Sequence, residues 1–202
     1  MKKRIISLTL LLALLSSCDF VSKVTDAAKG SQMDGESTYT KAAELLGDVD
    51  SAWKVYSFNI DSEGMPDECK NEFGYMRAGM MNADGEVYAQ NLYPFKSDPD
   101  IDNFAPKGAT YDEIPTIDFN AEKAMKNVND CKAKIPEGYS FLNLRTYQMK
   151  YDVKSKTFIT KIDINVQEIG KESVNVNGKQ SSVYYQLAFT ITPDGKIEME
   201  EE

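Results

Sequence analysis

The sequence contains no histidine, one tryptophan and three cysteines in 202 residues. The absence of histidine excludes Ser-His-Asp and Cys-His nucleophile systems, together with every metal or haem site that needs an imidazole ligand. No Walker loop, GxGxxG or GxSxG motif is present, so the common nucleotide-binding and α/β-hydrolase signatures are missing. Apolar residues make up 42% of the chain, which is enough for a globular core, and no cofactor is implied.

The longest apolar run lies at the N-terminus, directly after Lys2-Lys3-Arg4. The run covers residues 5–15 and lacks a polar face. It is too short to span a bilayer, which takes about 20 residues. A short basic stretch followed by such a run is typical of a secretory signal. We therefore predict that residues 1–17 are a signal peptide.

The four residues Leu15-Ser16-Ser17-Cys18 resemble the lipobox of bacterial lipoproteins. The resemblance implies that the Cys18 sulfur carries a diacylglycerol and that Cys18 becomes the first residue of the mature chain. Several acyl chains on one residue anchor a protein firmly in a membrane. The expected location is therefore the cell envelope, facing the periplasm or the cell surface. The following Asp19 leaves the choice between inner and outer membrane open.

Negative charge dominates the chain, which has a net charge of −9, or −12 once the three basic residues of the signal are removed. Such a chain is repelled by nucleic acid and by anionic lipid headgroups. We therefore expect no nucleic-acid partner, and we expect membrane association through the lipid alone. Residues 18–37 show no sustained hydrophobic period, and we predict that they form the lipidated cysteine and a flexible tether.

The hydrophobic pattern of residues 38–202 predicts one globular α+β domain, in which a helix packs on an antiparallel meander. Each half of the domain, residues 38–92 and 117–202, shows a helix followed by strands. Asp118 is the expected N-cap of the second helix, and a bulge or late strand start is expected near Leu142 and Leu144. The predicted helices cover residues 39–47 and 121–135, and the predicted strands cover residues 53–60, 72–81, 86–92, 147–153, 158–166, 183–191 and 196–200, with turns at Asn82–Gly85 and Asn177-Gly178.

This order of elements resembles the layout of PepSY-type, β-lactamase-inhibitor-like and cystatin-like modules. The resemblance is one of topology, carries no sequence motif and implies a fold only.

Cys69 and Cys131 remain once Cys18 is acylated, and two cysteines in an oxidising compartment are expected to pair. The disulfide would close a loop of about 60 residues and stabilise the fold by about 4 kcal/mol on the chain-entropy model. Two buried thiols or one reactive thiol are the alternatives.

Asp98, Asp100 and Asp102 alternate along the chain as the ligands in the first half of a calcium loop do. The pattern then fails, because Asn103 stands where the loop needs glycine and Ala109 where it needs glutamate. A solvated acidic loop is the alternative interpretation.

One face of the second predicted sheet carries a mixture of polar and aromatic side chains that is typical of interfaces. We predict a partner-binding surface there, with an ordinary solvated sheet face as the alternative. The expected function is a lipid-anchored envelope protein whose non-catalytic domain binds another protein or a cell-wall component. The alternatives are a small-ligand or calcium carrier and a carboxylate-dependent hydrolase. The predicted surface residues are Gln148, Lys150, Lys161, Asp163, Tyr184 and Gln186.

Overall fold

The computed structural model describes residues 31–64, 68–171, 173–176 and 179–200. Helix α1 spans Glu36–Gly47, helix α2 spans Ala121–Lys132, and a short 3-10 turn spans Tyr111–Glu113. The predicted signal peptide, Cys18, residues 19–30 of the predicted tether and the Asn177-Gly178 turn lie outside the described residues. The strands are β1 Lys54–Ser62, β2 Phe73–Met81, β3 Val87–Tyr93, β4 Asp100–Ile101, β5 Tyr139–Asp152, β6 Thr157–Glu168, β7 Ser173–Val176, β8 Lys179–Ser182, β9 Tyr185–Ile191 and β10 Ile197–Met199.

Eight of these strands form one sheet in the order β10-β9-β6-β5-β1-β2-β3-β4, and β7 pairs with β8 in a separate hairpin. Every pair of strands in the sheet is antiparallel, so the predicted α+β class is confirmed. The two halves of the chain meet where β1 pairs with β5, with Ile60 opposite Tyr147. Residues 38–92 and 117–202 therefore contribute to one continuous sheet.

Both helices cover the same face of this sheet. Tyr39 and Ala42 of α1 and Val128 of α2 are fully buried, and they pack into the core that also holds Phe58 and Ile162. The rings of Tyr39 and Tyr147 meet edge to face, with centroids 5.3 Å apart. The predicted apolar stripe of α2 therefore faces the sheet. Neither helix of the described chain is long and apolar enough to cross a membrane.

A second, smaller cluster lies at the end of the sheet where β1 begins and β5 ends, and we call it the end cluster. Its buried members are Tyr56, Met81, Ile114 and Tyr151. The Tyr56 hydroxyl donates a hydrogen bond to the Asp102 carboxylate, which also accepts one from the Phe104 amide at 2.9 Å. Asp102 therefore holds the long connection between the two halves against the sheet.

The folded part of the chain begins earlier than predicted. The Met33 side chain is fully buried, and its amide donates to the Asn71 carbonyl at 2.7 Å. Asp34 forms an ion pair with Lys132 at 2.6 Å. The compact unit therefore starts at Gln32, and the predicted tether is wrong for residues 32–37.

The sequence predicted one local detail of α2 wrongly and one local detail of β5 correctly. The N-cap of α2 is Asn120, whose side chain accepts from the Lys123 amide at 2.8 Å, so the prediction of Asp118 is wrong by two residues. The predicted irregularity in β5 is confirmed, because the register shifts between Phe141 and Asn143 and again between Leu144 and Thr146. The second shift sets the orientation of Arg145 in the site described next.

Candidate functional site

The face of the sheet opposite the helices carries the polar residues of the central strands, and we call it the polar face. On β5, Gln148 alternates with the core residues Tyr147 and Met149. In register, Gln148 lies between Asn59 of β1 and Lys161 of β6. Lys150 lies two residues from Gln148 on β5, and Asp163 lies two residues from Lys161 on β6. Because side chains alternate between the two faces of a strand, both residues share this face. The structure thus brings together four of the six predicted surface residues.

A shallow depression of about 200 Å³ lies within the polar face. Gln148, Lys150 and Lys161 line it, together with Tyr151, Asp152 and Ile159. Two ammonium groups, one carboxylate and one amide at a shallow depression form a surface that favours a hydrogen-bonding partner.

Lys161 is held in place by acidic and hydroxyl groups from the neighbouring strands. Its ammonium pairs with the Glu200 carboxylate at 2.7 Å, and the same carboxylate accepts from the Thr190 hydroxyl at 2.8 Å. These hydrogen bonds from Lys161 and Thr190 lower the pKa of Glu200. Lys161 is therefore oriented on the face before any partner arrives.

Two carboxylates flank Thr146 across three adjacent strands. In register, Asp61 of β1 lies opposite Thr146 of β5, which lies opposite Asp163 of β6. Asp61 accepts a hydrogen bond from Thr146 at 2.8 Å and another from Asn59. Burial raises the pKa of Asp163, and the negative charges of Glu200 and Asp61 add to that rise. Asp163 therefore stays protonated to a higher pH than an ordinary aspartate.

Arg145 is a member of this surface that the sequence did not single out. Its guanidinium donates to the Ser62 hydroxyl at 3.0 Å and to the Ser62 carbonyl at 3.2 Å. It lines a second depression of about 370 Å³ with Asp61 and Tyr75. The predicted bulge in β5 was the sequence signal that could have identified Arg145, because a register shift reverses the face on which the following residues lie.

Tyr184 and Gln186 lie apart from the other predicted residues. Gln186 is opposite Asn165, two residues along β6 from Asp163, and Tyr184 precedes the start of β9. The structure therefore brings Gln148, Lys150, Lys161 and Asp163 together, while Tyr184 and Gln186 lie away from that group.

The three aspartates of the predicted calcium loop do not form a metal site. Asp102 is nearly buried and its carboxylate is occupied by Tyr56 and Phe104, as described above. The Asp100 carboxylate accepts the amide of its neighbour Ile101 at 2.8 Å. Among the described residues, no three acidic or cysteine side chains converge as metal ligands. The interpretation as a calcium loop is therefore wrong.

The predicted Cys69–Cys131 disulfide is not present in the structure, because the sheet stands between the two thiols. Cys131 is fully buried in the main core on the helix side, where burial and the charge of Asp130 raise its pKa to about 12. The Cys69 sulfur lies 3.9 Å from the side-chain nitrogen of Asn165, whose neighbours Ile164 and Val166 face the helices. Asn165 and Cys69 therefore lie on the opposite side.

Comparison of the chain with known protein families, with characterised proteins and with solved structures finds no significant match.

Proposed function

We propose that this protein is a lipid-anchored cell-envelope protein whose domain binds another protein or a cell-wall component through the polar face. The observation that carries the binding proposal is the grouping of Gln148, Lys150 and Lys161 around one depression, on the side that the helices leave uncovered. The lipid anchor rests on the lipobox residues that end at Cys18. In this proposal each half of the chain is a helix-on-meander unit of one non-catalytic binding module.

Fixed polar groups support binding, because a side chain that is already ordered loses little entropy when a partner arrives. Lys161 is held by Glu200, and Arg145 is held by Ser62. The Tyr75 hydroxyl donates to Asn91 at 2.5 Å on the same side of the sheet. A face that combines lysine, arginine, glutamine and tyrosine has the composition of the polar part of an interface.

Photo-cross-linking in living cells tests this proposal. A photoreactive phenylalanine analogue that replaces Lys150 or Lys161 should give a defined adduct of higher mass. The matched control is Lys126, which is 72% exposed on α2 on the other side of the sheet. The same analogue at Lys126 should give no such adduct. Absence of an adduct at both sheet positions, or equal adducts at all three, would contradict the proposal.

A second candidate function, a carboxylate-dependent hydrolase, is favoured by one observation. Asp61 and Asp163 lie two strand spacings apart, about 10 Å between backbones, with the pKa of Asp163 raised. A carboxyl group that keeps its proton can act as a general acid beside an ionised partner. Turnover of peptidoglycan that is lost in Asp163→Asn and kept in Asp152→Asn would favour this function over binding alone.

A further inference from the structure

A larger cavity lies on the helix side of the sheet, away from the polar face, and we call it the α1 groove. Its volume is about 610 Å³, within the range of small-ligand and peptide sites. Leu46 and Val49 line it at the end of α1, Trp53 and Val55 at the start of β1, and Ile117 and Phe119 in the segment before α2. The lining is therefore largely apolar and comes from three separate parts of the chain.

The aromatic walls of the α1 groove are held rigidly by other rings. Trp53 meets Tyr88 edge to face at 5.1 Å and 86°, and Phe119 meets Phe58 at 5.0 Å and 81°. Rings fixed in this way offer a preformed apolar surface, so a ligand does not have to order them.

One ring of the groove already accepts a cation from the chain itself. The Lys54 ammonium lies 4.6 Å from the centroid of the Tyr111 ring, and both residues line the groove. The negative face of an aromatic ring attracts an ammonium group at this distance. This contact shows that the groove tolerates a positive charge next to its apolar walls.

The charges around the opening are mostly negative. Helix α1 ends at the groove, but the Lys96 ammonium donates to the Asp48 carbonyl at its C-cap at 2.9 Å, so the carbonyl end of this helix adds little negative charge. Three charged residues line the groove, and two of them, Asp50 and Asp118, are exposed carboxylates, while the third is Lys54. The chain as a whole carries a net charge of −9, which attracts a positive ligand from a distance as well.

We propose that the α1 groove binds a short apolar peptide segment of a partner protein that carries a lysine or arginine. The apolar side chains of the segment lie against Trp53 and Phe119, and its basic side chain pairs with the exposed carboxylates of Asp50 and Asp118. This site is separate from the polar face, so its occupancy does not depend on the function proposed above.

The only tryptophan of the chain, Trp53, lines the groove and reports its occupancy directly. The full chain in detergent is titrated with acetyl-Leu-Lys-Leu-amide at millimolar concentrations while Trp53 fluorescence is followed. The expected result is a saturable blue shift, because an apolar peptide removes water from the indole. Two further peptides replace the central lysine by uncharged norleucine or by glutamate. We expect the apparent affinity to fall about threefold or more with norleucine and at least tenfold with glutamate.

Variants of the groove separate this binding from general adhesion. Asp118→Asn should weaken binding of the lysine peptide about 3- to 10-fold, while Asp98→Asn, an exposed aspartate away from the groove, should leave it unchanged. Ala43→Phe adds a ring at a half-buried groove position and should abolish the shift. If Ala43→Phe does not fold, as judged by circular dichroism, the conservative Asp118→Asn variant still decides the result.

Three outcomes would overturn the proposal. The first is no saturable shift with the lysine peptide. The second is binding of the norleucine or glutamate peptide that equals or exceeds binding of the lysine peptide, which would identify an apolar or anionic ligand instead. The third is equal binding to the original chain and to Asp118→Asn.

Discussion

At the scale of single residues, the packing around Gly79 is among the closest in the sheet. A Cβ atom at Gly79 would lie 2.6 Å from Cε2 and 2.8 Å from Cζ of the Tyr56 ring. Tyr56 is fully buried, and its hydroxyl is fixed by Asp102. Burial and the bond to Asp102 raise the pKa of Tyr56, so the hydroxyl keeps its proton and continues to donate. The ring therefore has little freedom to move aside.

We expect Gly79→Ala to reduce the free energy of unfolding by about 1–3 kcal/mol, as overpacking of a filled core does. The measurement is urea denaturation followed by circular dichroism. Gly47→Ala is the control, because nothing lies within 4 Å of the added Cβ at that helix position. This control should be neutral or slightly stabilising, since alanine favours a helix over glycine. Equal stability of Gly79→Ala and the original chain would show that the Tyr56 ring is not confined.

Residues whose roles depend on distant partners were the ones that the sequence predicted poorly. Asp102 looked like a metal ligand in its local pattern, but its partner Tyr56 lies 46 residues away. Cys131 and Cys69 looked like a pair because they are the two cysteines that remain after Cys18. Local patterns do not contain the information that a sheet separates the two thiols.

At the scale of elements, the segment before α1 is joined to the end of α2 by one ion pair. Asp34 accepts hydrogen bonds from Lys132 at 2.6 Å and from Asn71 at 2.5 Å. Burial alone would raise the pKa of Asp34, but the bonds from Lys132 and Asn71 outweigh it and lower the pKa. The Lys132 ammonium also lies 4.1 Å from the centre of the Phe141 ring.

Because the folded-state pKa of Asp34 is lowered, its stabilising effect is complete above the unfolded-state pKa, near 3.8, and is lost as the pH falls through the lower folded value. At pH 7 we expect Asp34→Asn to lower the free energy of unfolding by about 1–3 kcal/mol, the effect of a charged hydrogen bond. Below about pH 3 the difference from the original chain should shrink. Denaturation curves from pH 7 to pH 2.5 measure this.

The control for the Asp34 experiment is Asp130→Asn, which removes the exposed Lys126–Asp130 pair from the same helix. Exposed pairs of this kind contribute about 0–1 kcal/mol. A loss in Asp34→Asn no larger than that in Asp130→Asn, or a loss that does not change with pH, would show that the Asp34–Lys132 pair does not stabilise the fold.

Elements with strong periodicity were predicted well, and their ends less well. Alternation along β6 and the apolar stripe of α2 placed both elements, because burial of one face imposes a period on the sequence. The N-cap of α2 was misplaced by two residues, since Asp118 and Asn120 are equally acceptable caps by residue type, and the predicted end at residue 135 lies three residues beyond the observed end at Lys132. Met33 was assigned to the tether because one buried side chain before a helix leaves no periodic signal.

At the scale of the whole molecule, the α+β class followed from the pattern of elements, but the junction of the halves did not. The sequence predicted a helix and strands in each half. Pairing of β1 with β5 joins residues nearly 90 positions apart in the chain, such as Ile60 and Tyr147, and nothing local specifies it. The centre of the polar face was predicted because its residues alternate with core residues on adjacent strands. Asp61 and Arg145 were missed because they depend on that junction and on a bulge.

The anchoring of the whole molecule is tested by metabolic labelling with an alkyne analogue of palmitate. The original chain should be labelled, because the lipobox implies acylation at Cys18. Cys18→Ala should carry no label, and Cys69→Ala should keep it as the matched cysteine control. Label that persists in Cys18→Ala, or that disappears only in Cys69→Ala, would contradict lipidation at the predicted position.

The sheet places the polar face and the α1 groove on opposite sides of one wall of paired strands. A macromolecule lying across the strands and a peptide seated among the aromatic rings would touch no common side chain. The two proposed sites share no lining residue, so the two proposed occupants do not compete sterically for the domain.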